Sequence, residues 1–413
     1  MSATGPALTP PASPDPASAS PHPAPMILDM PAIQPVVDAV LYEGYILYPY
    51  RPTSVKNRQR WTFGGIYPRS YHDATGGSEP FRMQTQCLLR GDDDTRLEVR
   101  VRFLHPVARE LGVLDPPMAA WPVDGEPAFR RVPSLQVGER ELHSWQEAME
   151  RDVLVADCRL GTLRDTERRT EFAFDSRREL APLTDDDGTP VGVLLHRQVA
   201  VQGCITVRAD PVADDCFRLT VRIENLTTTA PDADAGRDQA SLYSFASTHT
   251  LLGTRGGAFV SSIDPPPALA AAVAACDNQG AYPVLVGRPG AHDAMLSSPI
   301  ILYDHPEIAP ESPGDLFDAT EIDEILSLRI LTMTDAEKRE MVATDPRAAA
   351  LLARTEALDG DALMQLHGTM REPRDAADSG ARAADSRMQR PPPPRLAACN
   401  DGGRQWRVGE RVR

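Results

Sequence analysis

At 413 residues, 41% of them hydrophobic and 25% charged, the chain has room for two or three domains and the composition of a soluble globular protein. A net charge of −16 argues against a whole-protein nucleic-acid footprint and against an anionic membrane surface as partner. No run of about 18 apolar residues occurs, so no membrane insertion is expected.

Residues 1–25 hold eight prolines among Ala, Ser and Thr, with neither Lys nor Arg. That composition lacks the basic and apolar regions of a signal peptide, so a cytoplasmic protein with a disordered leader over 1–38 is expected. From about residue 40 the apolar period is two. Leu97, Val99, Val101 and Phe103 alternate with charged residues, and Phe217, Leu219, Val221 and Ile223 alternate with charged or polar ones. The two runs are alike enough to suggest a duplicated half, although any two alternating Arg-rich strands look similar. Shorter strands are expected at 45–50, 61–67, 81–89, 153–160, 171–174, 193–201, 204–208, 243–252 and 299–303. Strands of this kind suit a wet-faced antiparallel sheet packed as a sandwich, here over 39–310.

A helical subdomain is expected over 311–368, where the period lengthens. Asp318-x-x-Glu321 approximates a capping box, Thr334-x-x-Glu337 is a full one, and Asp345 precedes Pro346 at a helix start. A last short helix is expected from Asp361 to His367. Residues 369–404, with four consecutive prolines, read as a disordered linker. Residues 405–413, around Trp406 and Val408, read as the first strand of a barrel that does not follow. The predicted fold class is thus α+β: a mainly antiparallel, sandwich-like β-rich domain, then a small helical subdomain, with disordered termini. Six scattered cysteines without a Cys-x-x-Cys pair suggest free thiols.

Two segments stand out as candidate sites. The first combines Tyr45, Tyr48, Tyr50 and Trp61 with Arg51, Lys56, Arg58 and Arg60 in an otherwise acidic chain. Aromatic and Arg residues anchor binding interfaces, but the same residues could be the core and loop of a hairpin. The second is acidic: Asp304, Glu307, Glu311, Asp315, Asp318, Glu321, Asp323 and Glu324, with His305 and no cation. Carboxylates favour the positive end of a helix, so this segment could be a helix start and a solvated loop. It could instead dock a partner, contacting through Glu311, Asp315 and Asp318, or hold a metal through His305, Glu307, Glu311 and Asp315. The basic and acidic segments could also pair within one molecule. No zinc-protease, nucleophile-elbow, phosphate-loop or dinucleotide motif is present, and no cofactor is expected. Ser247-Thr248-His249-Thr250 sets a histidine beside hydroxyls, but adjacent strand side chains point to opposite faces.

Three blocks carry a family resemblance: LYEGYILYPYRPTSVKNRQRWTFGGIYP (41–68), SSPIILYDHPEIAPESPGDLFDATEIDEILSLRILTMTDAEKREM (297–341) and TDPRAAALLAR (344–354). They resemble a family of uncharacterised bacterial proteins encoded with high-affinity, actinobacterial-type uptake NiFe-hydrogenases. The resemblance spans residues 40–368. It implies a non-catalytic accessory or assembly role, with hydrogenase subunits or maturation proteins as partners, and carries no catalytic residues over. Longer members continue from RVGERVR into a small SH3-like barrel, which this chain is expected to lack. The competing class is a metal-assisted hydrolase or carbohydrate-active enzyme on a β-sandwich, using carboxylates of 304–324 or Glu43.

Overall fold

The computed structural model describes residues 26–360 except 58–59, 123, 230–235, 309–313, 315 and 318–322, together with 398–401 and 404–407. Two antiparallel sheets form the centre. The five-stranded sheet runs β13 (Ala258–Phe259), β1 (Arg82–Arg90), β11 (Cys216–Asn225), β10 (Val201–Ala213), β7 (Arg168–Phe174). The larger runs β14 (Tyr282–Leu285), β15 (Ala294–Ser298), β12 (Ala246–Arg255), β2 (Arg96–Val113), β9 (Pro190–Gln198), β8 (Arg177–Thr184). On its other side β2 pairs β6 (Trp145–Arg159) and β3 (Arg130–Val132), and the hairpin β4 (Ser134–Val137) with β5 (Arg140–His143) lies between those two in sequence.

Period-two alternation decides which face is inside. Leu97, Val99, Val101 and Phe103 of β2 meet Leu219, Val221 and Ile223 of β11 in one buried cluster. The two look-alike runs therefore sit in opposite sheets and fill the same core. No disulfide joins the five cysteines whose side chains are described.

The outer face of the larger sheet is covered by helices. Residues 30–38, expected in the leader, belong instead to α1 (Met30–Leu41), which buries Ile33, Val37, Val40 and Leu41. The prolines obscured this i, i+4 stripe. Pro31 sits in the first turn, where a missing N–H costs nothing, and Pro35 is accommodated inside the helix. Ile33, Val37 and Val40 pack with Leu251, Val286 and Leu296 of the sheet side.

After the short helices α2 (Arg69–Ala74), α3 (Leu160–Asp165), α4 (Arg237–Ser241) and α5 (Ala270–Ala274) come the C-terminal helices α6 (Asp323–Leu331), α7 (Asp335–Thr344) and α8 (Pro346–Glu356), which share a second cluster with Leu104, Trp145 and Ala246 of the sheet. The Thr334–Glu337 capping box and the Asp345 cap before Pro346 are both present. The helices follow the sandwich in sequence, as expected, and pack on it through this common core. Asp318, Glu321 and the helix expected at 361–367 lie outside the described residues. A buried arginine ties α7 to the sheet: Arg109 of β2 donates to the carbonyls of Thr344 (2.6 Å) and Ala343 (3.2 Å) and pairs with Glu147 (3.2 Å). A cation at these carbonyls satisfies acceptors the helix itself cannot.

Not every expected strand forms. Segments 45–50 and 61–67 form no ladder beyond a single bridge of Ile66 to Phe245; Tyr50 and Trp61 take φ 56° and 58°, and with Tyr45 they turn inward to the cluster shared with the C-terminal helices. Residues 299–303 extend beyond β15 without joining a ladder. The region 369–413 is a unit of its own. Within it, β16 (Ala398–Asp401) pairs β17 (Arg404–Arg407), with Cys399 opposite Trp406. The expected lone barrel strand therefore has a partner, and the expected linker ends earlier than 404. A Gly402-Gly403 dipeptide, a hairpin signal, separates the two strands in sequence.

Two buried histidines give the fold a pH dependence. His249 on β12 is fully enclosed; its Nδ1 lies 2.7 Å from the Ser247 carbonyl and so carries the proton, while Nε2 accepts from Ser298 Oγ at 3.2 Å. Ser298 Oγ also accepts the Ile300 N–H, and the enclosed pair has no opening to solvent. It locks the end of β15. Burial lowers the pKa of both His249 and His105 to about 4. The unfolded chain then binds protons that the native state refuses, so stability is full above about pH 6.5 and falls towards about pH 4. Each histidine should contribute a slope of about 1.4 kcal/mol per pH unit in that window. Denaturant titrations across it should show the loss, and His105→Phe should reduce the slope. A flat profile would rule the account out.

Candidate partner-binding surface

Residues distant in sequence come together beside the larger sheet: Tyr42 to Tyr50, Leu316 and Phe317, and Asp345 to Arg347. The Gly44 N–H bonds to the Phe317 carbonyl, the Tyr50 hydroxyl donates to the Leu316 carbonyl (2.8 Å), and the Tyr45 hydroxyl donates to Asp345 (2.6 Å). The other oxygen of Asp345 caps α8 at the Arg347 N–H. The guanidinium of Arg347 in turn stacks on Tyr42 at 4.0 Å. These segments hold one another in place.

That assembly decides the role of the aromatic-basic stretch. Tyr45, Tyr50, Arg60 and Trp61 are buried and cannot be a contact surface. Arg60 lies among three rings, 4.6 Å from Tyr45, 4.6 Å from Trp61 and 4.0 Å from Trp145, and donates to the Tyr45 carbonyl (2.6 Å) and to that of Gln146. Burial lowers its pKa, yet carbonyls and ring faces supply the negative potential a desolvated cation needs. Burial likewise raises the Tyr45 hydroxyl above its ordinary range, so it stays a neutral donor. Arg51 pairs with Glu337 (3.2 Å) and Glu340 (3.4 Å) of α7, while Tyr48 is half-buried beneath Arg329. Lys56 is exposed, and Arg58 lies outside the described residues. The stretch is a joint between sandwich and helices. Arg51 finds its acidic partners on α7, outside the acidic stretch of 304–324.

The acidic stretch is described only in part, since Glu311, Asp315 and Asp318 lie outside the described residues. Asp304 accepts the Leu285 N–H (2.8 Å) and binds Ser261 Oγ. The His305 N–H donates to the Leu285 carbonyl (2.7 Å), and its Nε2 accepts from Gly290 at 3.3 Å. Asp304 and His305 therefore staple the outer edge of β14. Among the described residues no three His, Cys, Asp or Glu side chains gather as a metal site would require. The metal reading of His305 and Glu307 has no third described ligand.

What the structure does present is an apolar strip that the sequence reading missed. Ile300 and Leu302 turn inward against the α1 cluster, so by alternation Ile301 and Tyr303 face solvent, at 75% and 84% exposed. Ser298 at one end and Asp304 at the other pin this segment. Nearby, Phe63 (42% exposed) and Tyr282 (48% exposed) flank Pro299 around a pocket of about 320 Å³, with the Arg237–Glu79 pair (2.7 Å) on its wall. The signal was available in Pro299–Tyr303 as a period-two run, but nothing in sequence says which half of such a run loses its cover. A larger cleft of about 880 Å³ lies between α7, α8 and the β4–β5 hairpin. It is lined by both charge signs, several of them already paired, such as Lys338 with Glu356 at 2.8 Å.

No family model and no curated protein matches this chain in sequence. Among the described residues no helix is long and apolar enough to cross a membrane.

Proposed function

We propose that this chain is a non-catalytic accessory or assembly protein, working in the cytoplasm by binding protein in a NiFe-hydrogenase system. The observation that carries the binding reading is the pinned apolar strip of Ile301 and Tyr303, with Phe63 and Tyr282 close by. Large exposed apolar groups held in place by surrounding structure mark sites that another protein covers. The hydrogenase partner rests on the resemblance of the three sequence blocks alone. Ile301→Ser combined with Tyr303→Ser should weaken capture of a tagged hydrogenase large subunit at least tenfold while leaving the melting temperature nearly unchanged, since both side chains are already in water. Unchanged capture would remove the strip from the binding surface. Hydrogen uptake that survives deletion of the gene would end the hydrogenase assignment.

A further inference from the structure

Edge strands expose ladder groups that other chains can pair with, and most edges here are blocked. At β14, Pro283 has no N–H and Leu285 is stapled by Asp304 and His305. β13 is two residues long, β8 carries Pro182 with Arg177 and Arg178, and β7 carries Arg168, Arg169 and Glu171. The exception is β6, fifteen residues long and paired only with β2 among the described residues.

The direction of its free groups follows from neighbouring bonds. The Leu111 N–H points to Ser144 Oγ on the β6 side, whereas the Arg96 carbonyl accepts from Thr254 of β12 and the Leu114 N–H meets Val191 on the β9 side. Odd-numbered residues of β2 thus face β6. The register runs without a shift from Arg109↔Trp145 to Val99↔Val155, so odd-numbered residues of β6 complete that ladder. Even-numbered ones turn outward, and the outward carbonyl of Gln146 is indeed taken by Arg60. Ala148, Glu150, Asp152 and Leu154 aim N–H and C=O away from β2, and no described residue hydrogen-bonds those backbone groups. The last three are exposed, Leu154 at 43%.

Charge selects the occupant. Arg100 and Arg102 of β2 pair with Asp152 and Glu150 of β6, both at 2.9 Å, so a basic row is followed by an acidic one. A second copy meeting this edge about a two-fold axis through 150, 151 or 152 would set Glu150 or Asp152 against a like charge, which destabilises a strand pair. A strand carrying Arg or Lys at alternate positions would continue the pattern. We propose that the outer edge of β6, residues 148–154, receives an extended basic segment of a partner protein as an added strand. This rests on the protein-binding reading above but uses a different surface.

The test uses the full chain with a short peptide alternating Arg and Val, and one alternating Glu and Val as control. The basic peptide should bind, more weakly at higher salt, and should slow hydrogen exchange at the amides of Glu150, Asp152 and Leu154. Asp152→Pro removes one outward N–H without touching the β2 ladder; it should cost at least tenfold in affinity at an unchanged melting temperature. Asp152→Asn should cost only a few-fold. Leu154→Pro repeats the test should Asp152→Pro misfold, and Val153→Pro, which breaks the β2 ladder, should unfold the protein. Equal binding of both peptides, absent amide protection, or full affinity in both outward proline variants would overturn the proposal. So would dimerisation abolished by Asp152→Pro, which would give the edge to a second copy. Capture of the hydrogenase subunit that survives Asp152→Pro but is lost in the Ile301, Tyr303 variant would remove this inference and leave the protein-binding reading standing.

Discussion

Val99→Asp and Val221→Asp should each abolish soluble expression. The two valines lie on facing sheets, both essentially without solvent exposure, in the same apolar cluster. A carboxylate there has no cation or hydrogen-bond donor to replace water. It must either stay charged at prohibitive cost or take up a proton, and even the neutral acid leaves unpaired polar atoms among hydrocarbon. The penalty of several kcal/mol is comparable to the whole stability of a typical domain, about 5–15 kcal/mol. Thr220→Asp, one residue away on the half-exposed face of β11, is the control and should be tolerated. Soluble, folded Val99→Asp and Val221→Asp proteins would mean that the inward face has been assigned wrongly.

Arg60→Met should cost about 3–4 kcal/mol, although it keeps much of the volume. Two hydrogen bonds from a cation contribute roughly 1.5–3 kcal/mol each, and desolvated ring contacts contribute up to about 2 kcal/mol more. Recovering the desolvation of the guanidinium offsets part of this loss. Arg60→Lys should remain clearly destabilised, because an ammonium cannot span the Tyr45 and Gln146 carbonyls while lying flat among three rings. Denaturant unfolding followed by fluorescence will report directly, since Trp61 and Trp145 form two walls of the site. A loss below about 1 kcal/mol for Arg60→Met would show that the joint between sandwich and helices does not depend on this cation.

These results separate two kinds of information in the chain. Where the physics is local, the sequence was legible. The alternation in β2 and β11 identified the inward faces, because successive strand side chains must point to opposite sides. Thr334, Glu337, Asp345 and Pro346 marked two helix starts, because unsatisfied N–H groups demand particular neighbours. Where composition stood in for geometry, the reading failed: the prolines of α1 hid its buried stripe, and the Trp406 strand gained a partner from a segment read as linker.

The candidate surfaces belong to the tertiary structure. Tyr45, Arg60 and Trp61 have the chemistry of an interface, and only the arrival of Asp345, Leu316 and Phe317 from some 250 to 300 residues away makes them a core. Distance in sequence carries no record of such encounters. By the same logic Ile301 and Tyr303 are exposed only because Ile300 and Leu302 found α1, and the β6 edge is open only because β2 has neighbours on its other side while none of the described strands pairs the far edge of β6. Short-range stereochemistry wrote the strands, caps and faces into the sequence. Which of those faces was covered, and which was left for another molecule, depended on long-range packing that no local pattern encodes.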